Sequence, residues 1–308
     1  MKTSNAGDTA ENGKQERQKL CARILELLPE EGRIENRIEG LALTRYDRPS
    51  AATVCFYRPM LALVVQGFKH SRIGIEECAY GAGQCVVVGV DMPGVYQIGE
   101  ASPDSPFLSF SLTLNRYTIA KLLEEMPPNN ANTPHTPEQA RPVVLAPAGP
   151  ELLAACGRLL GLLTTPEKIA VLAPLVIKEI HFHLLTGAQG DCLRLFCSGG
   201  TRAASIAEAI SQLRSNYAEP LNMEELAGQV GMSRSTFNRH FRQVTGLSPL
   251  QFQKRLRLYE AERLMLFEGH NASSAALAVG YESGSQFTRE YKRLFGQPPR
   301  RDVTEKRM

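Results

Sequence analysis

No stretch of the 308-residue sequence comes near the roughly 18 consecutive apolar residues of a membrane-spanning helix, so no transmembrane segment is expected. The opening MKTSNAGDTAENGKQERQKL lacks the apolar heart of a secretory signal, which predicts a cytoplasmic protein. There is no GxSxG elbow, Walker loop or GxGxxG dinucleotide loop, so neither catalysis nor a cofactor is expected. Among the six histidines no HxH pair sits on an expected strand with a carboxylate after it. His181 and His183, two apart on an expected helix, point to nearly opposite sides and cannot share a metal, and no metal site is predicted. The seven cysteines are odd in number and show no clip-like repeat, which reads as reduced thiols. Tryptophan is absent and excludes nothing.

What is present is an ordinary globular composition, 43% hydrophobic and 22% charged, enough to bury a sizeable core. The length exceeds that of one compact domain, so two are expected. A net charge of +3 is too small to announce a polyanion partner, but it is unevenly placed. Residues 201–308 hold 16 Lys and Arg against 11 Asp and Glu, leaving the first 200 slightly acidic. Any phosphate-binding surface therefore belongs to the C-terminal third.

Residues 1–15 read as a disordered tail, followed by a short amphipathic helix marked by Leu20, Ile24, Leu27 and Leu28. From Leu41 to Leu114, runs rich in Val, Ile, Phe and Tyr are broken every eight to twelve residues by turn formers, which predicts a meander of antiparallel strands. A Pro/Asn/Thr-rich loop is expected from Pro127 to about Ala148, then two helices, Glu151–Leu163 and Pro166–Leu185. The glycines between Thr186 and Gly200 suggest a boundary. The domains expected are 16–190, a linker at 191–200, and a helical unit at 201–308. The fold class is thus α+β: an N-terminal antiparallel barrel or sandwich with flanking helices, then an all-α domain.

The last third contains a repeat. GMSRSTFNRHFRQVTGLSP begins at Gly231 and GYESGSQFTREYKRLFGQPP at Gly280. Each glycine turns the chain out of a first helix in the left-handed conformation, and Ser233 or the Glu282-Ser283 pair caps a second. Phe237 and Phe241, and likewise Phe287 and Tyr291, anchor the inner faces. The opposite faces carry Arg234, Ser235, Asn238, Arg239 and Arg242 in one copy, and Ser283, Gly284, Ser285, Gln286, Arg289 and Lys292 in the other. Arg chelates guanine, Asn and Gln chelate adenine, and small residues permit close approach, so both faces suit a major groove. Leu250 to Phe267 reads as one helix of roughly 27 Å between the copies, close to the ~34 Å spacing of successive grooves. Lys254, Arg255 and Arg257 are expected to face phosphates along it.

From Ile206 to Arg301 the sequence resembles the tandem helix-turn-helix domain of AraC/XylS-type bacterial regulators, through LNMEELAGQVGMSRSTFNRHFRQVTGLSPLQFQKRLRLYEAERLML and AALAVGYESGSQFTREYKRLFGQPPRR. The upstream pieces YRPMLALVVQGFKHSRIG and ECAYGAGQCVVVGVDMPGVYQIGEASPDSPFLSFSLTLN resemble the sensor domain of one AraC subgroup. The resemblance implies a transcriptional regulator with a degenerate cupin-like β-domain, bound to double-stranded promoter DNA and working with RNA polymerase, and it makes a homodimer through the two helices after Glu151 an expectation.

Within the β-region, Phe56, Leu63, Val65, Tyr80, Val87, Tyr96, Phe110 and Leu112 are candidates to line an effector pocket, or else simply fill the interior. Cys78 and Cys85, seven apart around a turn, suggest a thiol pair responsive to oxidants, against the more ordinary reading of small apolar fillers. The runner-up function is a cupin-like enzyme fused to a DNA-targeting domain.

Overall fold

The computed structural model describes residues 4–35, 37–126 and 141–307. Helix α1 (Ser4–Leu27) leads into ten strands arranged in two antiparallel sheets. The six-stranded sheet runs β1 (Gly32–Glu35), β2 (Leu41–Tyr46), β9 (Phe107–Thr113), β4 (Met60–Gln66), β7 (Gln84–Val88) and β10 (Val143–Pro147). The four-stranded sheet runs β3 (Thr53–Tyr57), β8 (Met92–Glu100), β5 (Phe68–Ile73) and β6 (Glu76–Gly81). The sheets do not close on each other, so the sandwich alternative holds and the barrel does not.

Strand β4 is apolar almost throughout because it is central, hydrogen-bonded to β7 and β9, and also packed against α1. Strand β5 instead alternates: Ser71 and Ile73 are buried while His70 and Arg72 face outward. Leu20 and Ile24 of α1 are fully buried, and α1 also packs on α3 (Pro150–Gly161). Where polar composition predicts a tail up to residue 15, the structure continues helix back to Ser4. That stretch has no proline, so the helix whose packed end is Leu20–Leu27 can propagate upstream through it.

Helix α2 (Arg116–Glu125) is capped by Asn115, whose side chain accepts from the Thr118 amide. Most of the expected Pro/Asn/Thr loop, 127–140, lies outside the described residues, but its end forms strand β10 against β7. Helices α3 and α4 (Pro166–Thr186) fall where they are expected. By length and hydropathy α4 alone would pass as a membrane span, against the expectation that nothing in the chain does. It packs on α2, α3 and α5 (Gly190–Cys197), and it leaves Val171, Leu175 and Phe182 exposed along one side. The supposed linker 191–200 is also largely helix: α5 (Gly190–Cys197) buries Cys192, Leu193, Phe196 and Cys197. Those four positions form a helical stripe that the neighbouring glycines mask in the sequence.

The C-terminal unit is helical from α6 (Arg202–Ser215) to α12 (Pro299–Arg307). The first bundle joins α6 to α7 (Met223–Gln229) and α8 (Arg234–Thr245); the second joins α10 (Ala272–Ala278), α11 (Gly284–Phe295) and α12. Between them α9 (Pro249–Phe267) begins with a capping box of Ser248 and Gln251 and spans roughly 28 Å. Helix α9 also packs on β3 and β8, joining the two domains.

Candidate DNA interface and effector cavity

Each recognition helix is positioned by the same local chemistry. Gly231 and Gly280 take positive φ of 67° and 82° at the turns that precede α8 and α11. At Gly280 a Cβ would also come within 2.1 Å of the Ala218 carbonyl oxygen, so glycine is required for space as well as for conformation. Ser233 caps α8 by accepting from the Thr236 amide, and Ser283 caps α11 by accepting from Gln286. Phe237, Phe241, Phe287 and Tyr291 are all buried, as anchors rather than wedges. The Tyr291 hydroxyl donates to Asp302 Oδ2 at 2.7 Å, fixing α12 behind α11.

The opposite faces remain open to solvent. Arg234, Ser235, Arg239 and Arg242 are exposed on α8, and Ser283, Gly284, Ser285, Arg289 and Lys292 on α11 or its cap. Arg239, Arg242, Arg289 and Lys292 have no side-chain partner among the described residues. Arg234 meets Glu224 at 2.6 Å, an exposed pair that a phosphate can displace at little cost. Asn238 donates to the Arg234 carbonyl within its own helix. On α11, Ser283 is occupied as the cap. Gln286 donates to Glu290, which also takes bonds from Lys254 at 2.9 Å and from the Tyr281 hydroxyl at 2.8 Å.

Arg257 does not face outward. Its guanidinium donates to the carbonyls of Tyr217, Ala218, Glu219 and Gly280, at 2.7 to 3.0 Å. Gln253, one turn earlier, donates to the Tyr217 and Glu219 carbonyls. These two side chains of α9 clamp the loop after α6 to the turn before α11. Sequence reasoning read Arg257 as a phosphate ligand because only charge was visible there.

Between the sheets lies a cavity of about 270 Å³. Phe56, Leu63, Tyr80 and Tyr96 line it, whereas Val65, Val87, Phe110 and Leu112 are buried in the core without lining it; Lys69, Tyr46 and Tyr57 also line it and were missed by the sequence reading. Hydroxyl contacts link Tyr46 to Tyr96 at 3.0 Å, and Tyr57 to Ser71 at 3.2 Å. Strand parity exposes Lys69 in retrospect. It shares the inward register of Ser71 and Ile73 and lies opposite the buried Tyr80 and Ile98.

Cys78 and Cys85 are brought to different sheets, on β6 and β7, and neither lines this cavity. Both are free thiols. Burial pushes the Cys85 thiol up to about 12, against a bond from Gln189, and also raises that of Cys78. A scarce thiolate makes a poor sensor. Cys78→Ser is therefore expected to leave a reporter's response to peroxide unchanged; loss of a response would restore the thiol reading. His181 is structural: Nδ1 donates to the Ile177 carbonyl and Nε2 accepts from the Asn115 amide, and burial lowers its pKa.

One wall of the cavity is shared with the domain junction. Phe56 packs edge-on against Phe252 and Tyr259 of α9, with ring centroids 5.7 and 5.6 Å away. The Tyr259 hydroxyl donates to the Gly94 carbonyl, and Arg214 of α6 pairs with buried Asp91 at 2.9 Å. Burial raises the Asp91 carboxyl, and Arg214 pulls it back.

Comparison with known proteins bears on both domains. Residues 37–192 match the family described as the AraC-type transcriptional regulator N-terminus, and residues 226–303 match a helix-turn-helix domain family. The transcriptional activator RhaS of Pectobacterium carotovorum is 28% identical over 135 residues, 44% of this chain and 46% of that protein. The regulator ArgR of Pseudomonas aeruginosa is 30% identical over 108 residues, 35% of this chain and 33% of that protein. The chain thus spans less than half the length of these curated relatives. Among solved structures, an apo variant of ToxT from Vibrio cholerae superposes with a TM-score of 0.61 at 12% identity, covering 88% of this chain and 99% of that one. Wild-type ToxT with unsaturated fatty acid bound gives 0.59 at 12% identity, covering 88% and 96%. At that identity the likeness establishes the fold alone.

Proposed function

Because the chain belongs to the AraC family of transcriptional regulators, we propose that it binds promoter DNA by setting α8 and α11 into successive major grooves, under control of the β-domain. One observation carries this reading. Two capped helices bury Phe237, Phe241, Phe287 and Tyr291, while Arg239, Arg242, Arg289 and Lys292 stand in solvent without a side-chain partner among the described residues. A helix face that is only solvated has no need to repeat this arrangement on both sides of a strut. Arg239 and Arg289 are the base-reading candidates; Arg242 and Lys292 neutralise phosphates. Control passes through Phe56, which touches both the cavity and α9. The reading makes the protein a regulator rather than an enzyme, located in the cytoplasm with its DNA and acting there with RNA polymerase. Val171, Leu175 and Phe182 of α4 supply an apolar stripe for a second copy.

The test begins by selecting a preferred duplex from a random library with the full-length protein, then titrating variants on it. Arg289→Ala is expected to weaken that duplex by about 1–3 kcal/mol and to relax selection at its base position. Lys292→Ala should weaken selected and scrambled duplexes alike and lower the salt slope by about one. Undiminished binding by Arg289→Ala would overturn the assignment of α11.

A further inference from the structure

We infer that the cavity between the sheets is a site for a small aromatic carboxylate, with the anionic head on the Lys69 ammonium and the ring against the tyrosine and phenylalanine walls. The inference rests on the sensor role proposed for the β-domain and names its ligand class.

Three features point the same way. Lys69 is partly buried, and its ammonium lies over ring faces, 4.2 Å from the Tyr96 centroid and 5.9 Å from that of Tyr57, with Cys55 on the same wall. No Asp or Glu lines the cavity, and Lys69 has no ion pair among the described residues. A buried ammonium without an anion is costly, and cation–π contact recovers only part of that cost. Burial pulls the Lys69 pKa down to about 8, with Cys55 opposing and Arg33 adding to the depression. Arg33, which lines the same cavity, is a second cation; it is half exposed and is shared with Thr44 at 3.3 Å and Glu35 at 3.8 Å.

The walls define the rest of the ligand. Tyr46, Phe56, Tyr57, Tyr80, Tyr96 and Phe107 surround the space, and flat rings favour a flat partner in offset or edge contact. The volume of about 270 Å³ lies just below the usual range of ligand pockets, roughly 300–1,000 Å³, which limits the occupant to one or two rings. The hydroxyls of Tyr46 and Tyr96, 3.0 Å apart, share one hydrogen bond, which leaves one hydroxyl proton to donate to the second carboxylate oxygen.

Calorimetric titration of the full-length, DNA-free protein with benzoate, cinnamate, naphthoate and octanoate, and with the amides of the three aromatic acids, tests the inference. At least one aromatic acid is expected to bind roughly ten-fold or more tighter than its amide and than octanoate. At pH 8 its binding should draw up to about half a proton from buffer, because the arriving carboxylate lifts a half-titrated Lys69. Lys69→Met should weaken the acid about ten-fold or more, abolish the proton uptake and leave the amide within about two-fold. Saturable binding by none of the acids, equal binding of acid and amide, or an unchanged acid affinity in Lys69→Met would each overturn it. Octanoate equal to the best aromatic acid would overturn the ring assignment. The acid–amide comparison is made on unaltered protein, so it stands even where the variant fails to fold. Because no DNA is present, failure here leaves the reading of α8 and α11 untouched.

Discussion

Replacing Arg257 by methionine is expected to destabilise the C-terminal domain by about 3–4 kcal/mol and to separate the actions of its two recognition helices. One guanidinium bonds four backbone carbonyls, three in the loop after α6 and one at Gly280. Bonds from a charged donor contribute roughly 1.5–3 kcal/mol each, but water can replace those at the rim, so their sum overstates the loss. The effect reaches beyond stability because Gly280 begins the turn that aims α11. Urea unfolding should show a lower midpoint at an unchanged slope. Footprinting should show protection retained at one groove and lost at the next. Arg257→Lys should recover little, since a point ammonium cannot reproduce the fork that spans both bundles. An unaltered urea midpoint would mean that α9 orients the bundles through its apolar contacts alone.

The helical half of the molecule was legible because its determinants are local. A cap, a left-handed glycine and an i, i+4 aromatic pair lie within a dozen residues, so α8 and α11 could be drawn from the sequence with their polar faces correctly placed. What local signals could not show is where a charged side chain goes once the chain has folded. Arg257 and Lys254 sit on a helix that reads as a basic rod, yet their partners are the 217–219 and Gly280 carbonyls and Glu290, contributed by elements 23 to 40 residues away. Gln286 likewise reads as a groove contact and proves to be engaged with Glu290.

In the β-domain the strands were legible from their apolar runs and the regular spacing of turn formers, whereas the pairing was not. Cys78 and Cys85 lie close in sequence around a turn, but that turn passes from one sheet to the other. Strand β10 returns after a proline-rich stretch to complete the larger sheet, a non-local event with no local signature. Lys69 was legible in principle, since a lysine on the inward register of an alternating strand is an anomaly whatever the neighbours are. Its meaning needed the cavity.

The same non-local packing makes Phe252 the residue on which both domains depend most. It is fully buried in α9, with Phe241 of α8 edge-on at 5.4 Å on one side and Phe56 of β3 at 5.7 Å on the other. Phe252→Ala is expected to cost about 3–5 kcal/mol, since it opens a cavity where the core of the first bundle meets the β-domain. Phe56 is only half buried, so Phe56→Ala should cost less, but it removes the aromatic stack between the β-domain and α9. Differential scanning calorimetry distinguishes the two. With Phe252→Ala the whole transition should move down by several degrees, because the residue belongs to the common core. With Phe56→Ala the DNA-binding domain should unfold near its original temperature while the β-domain melts separately, giving two transitions where the parent shows one. A single transition in Phe56→Ala, shifted as far as in Phe252→Ala, would place the coupling in the Arg214–Asp91 pair and the Tyr259–Gly94 bond instead of the aromatic stack.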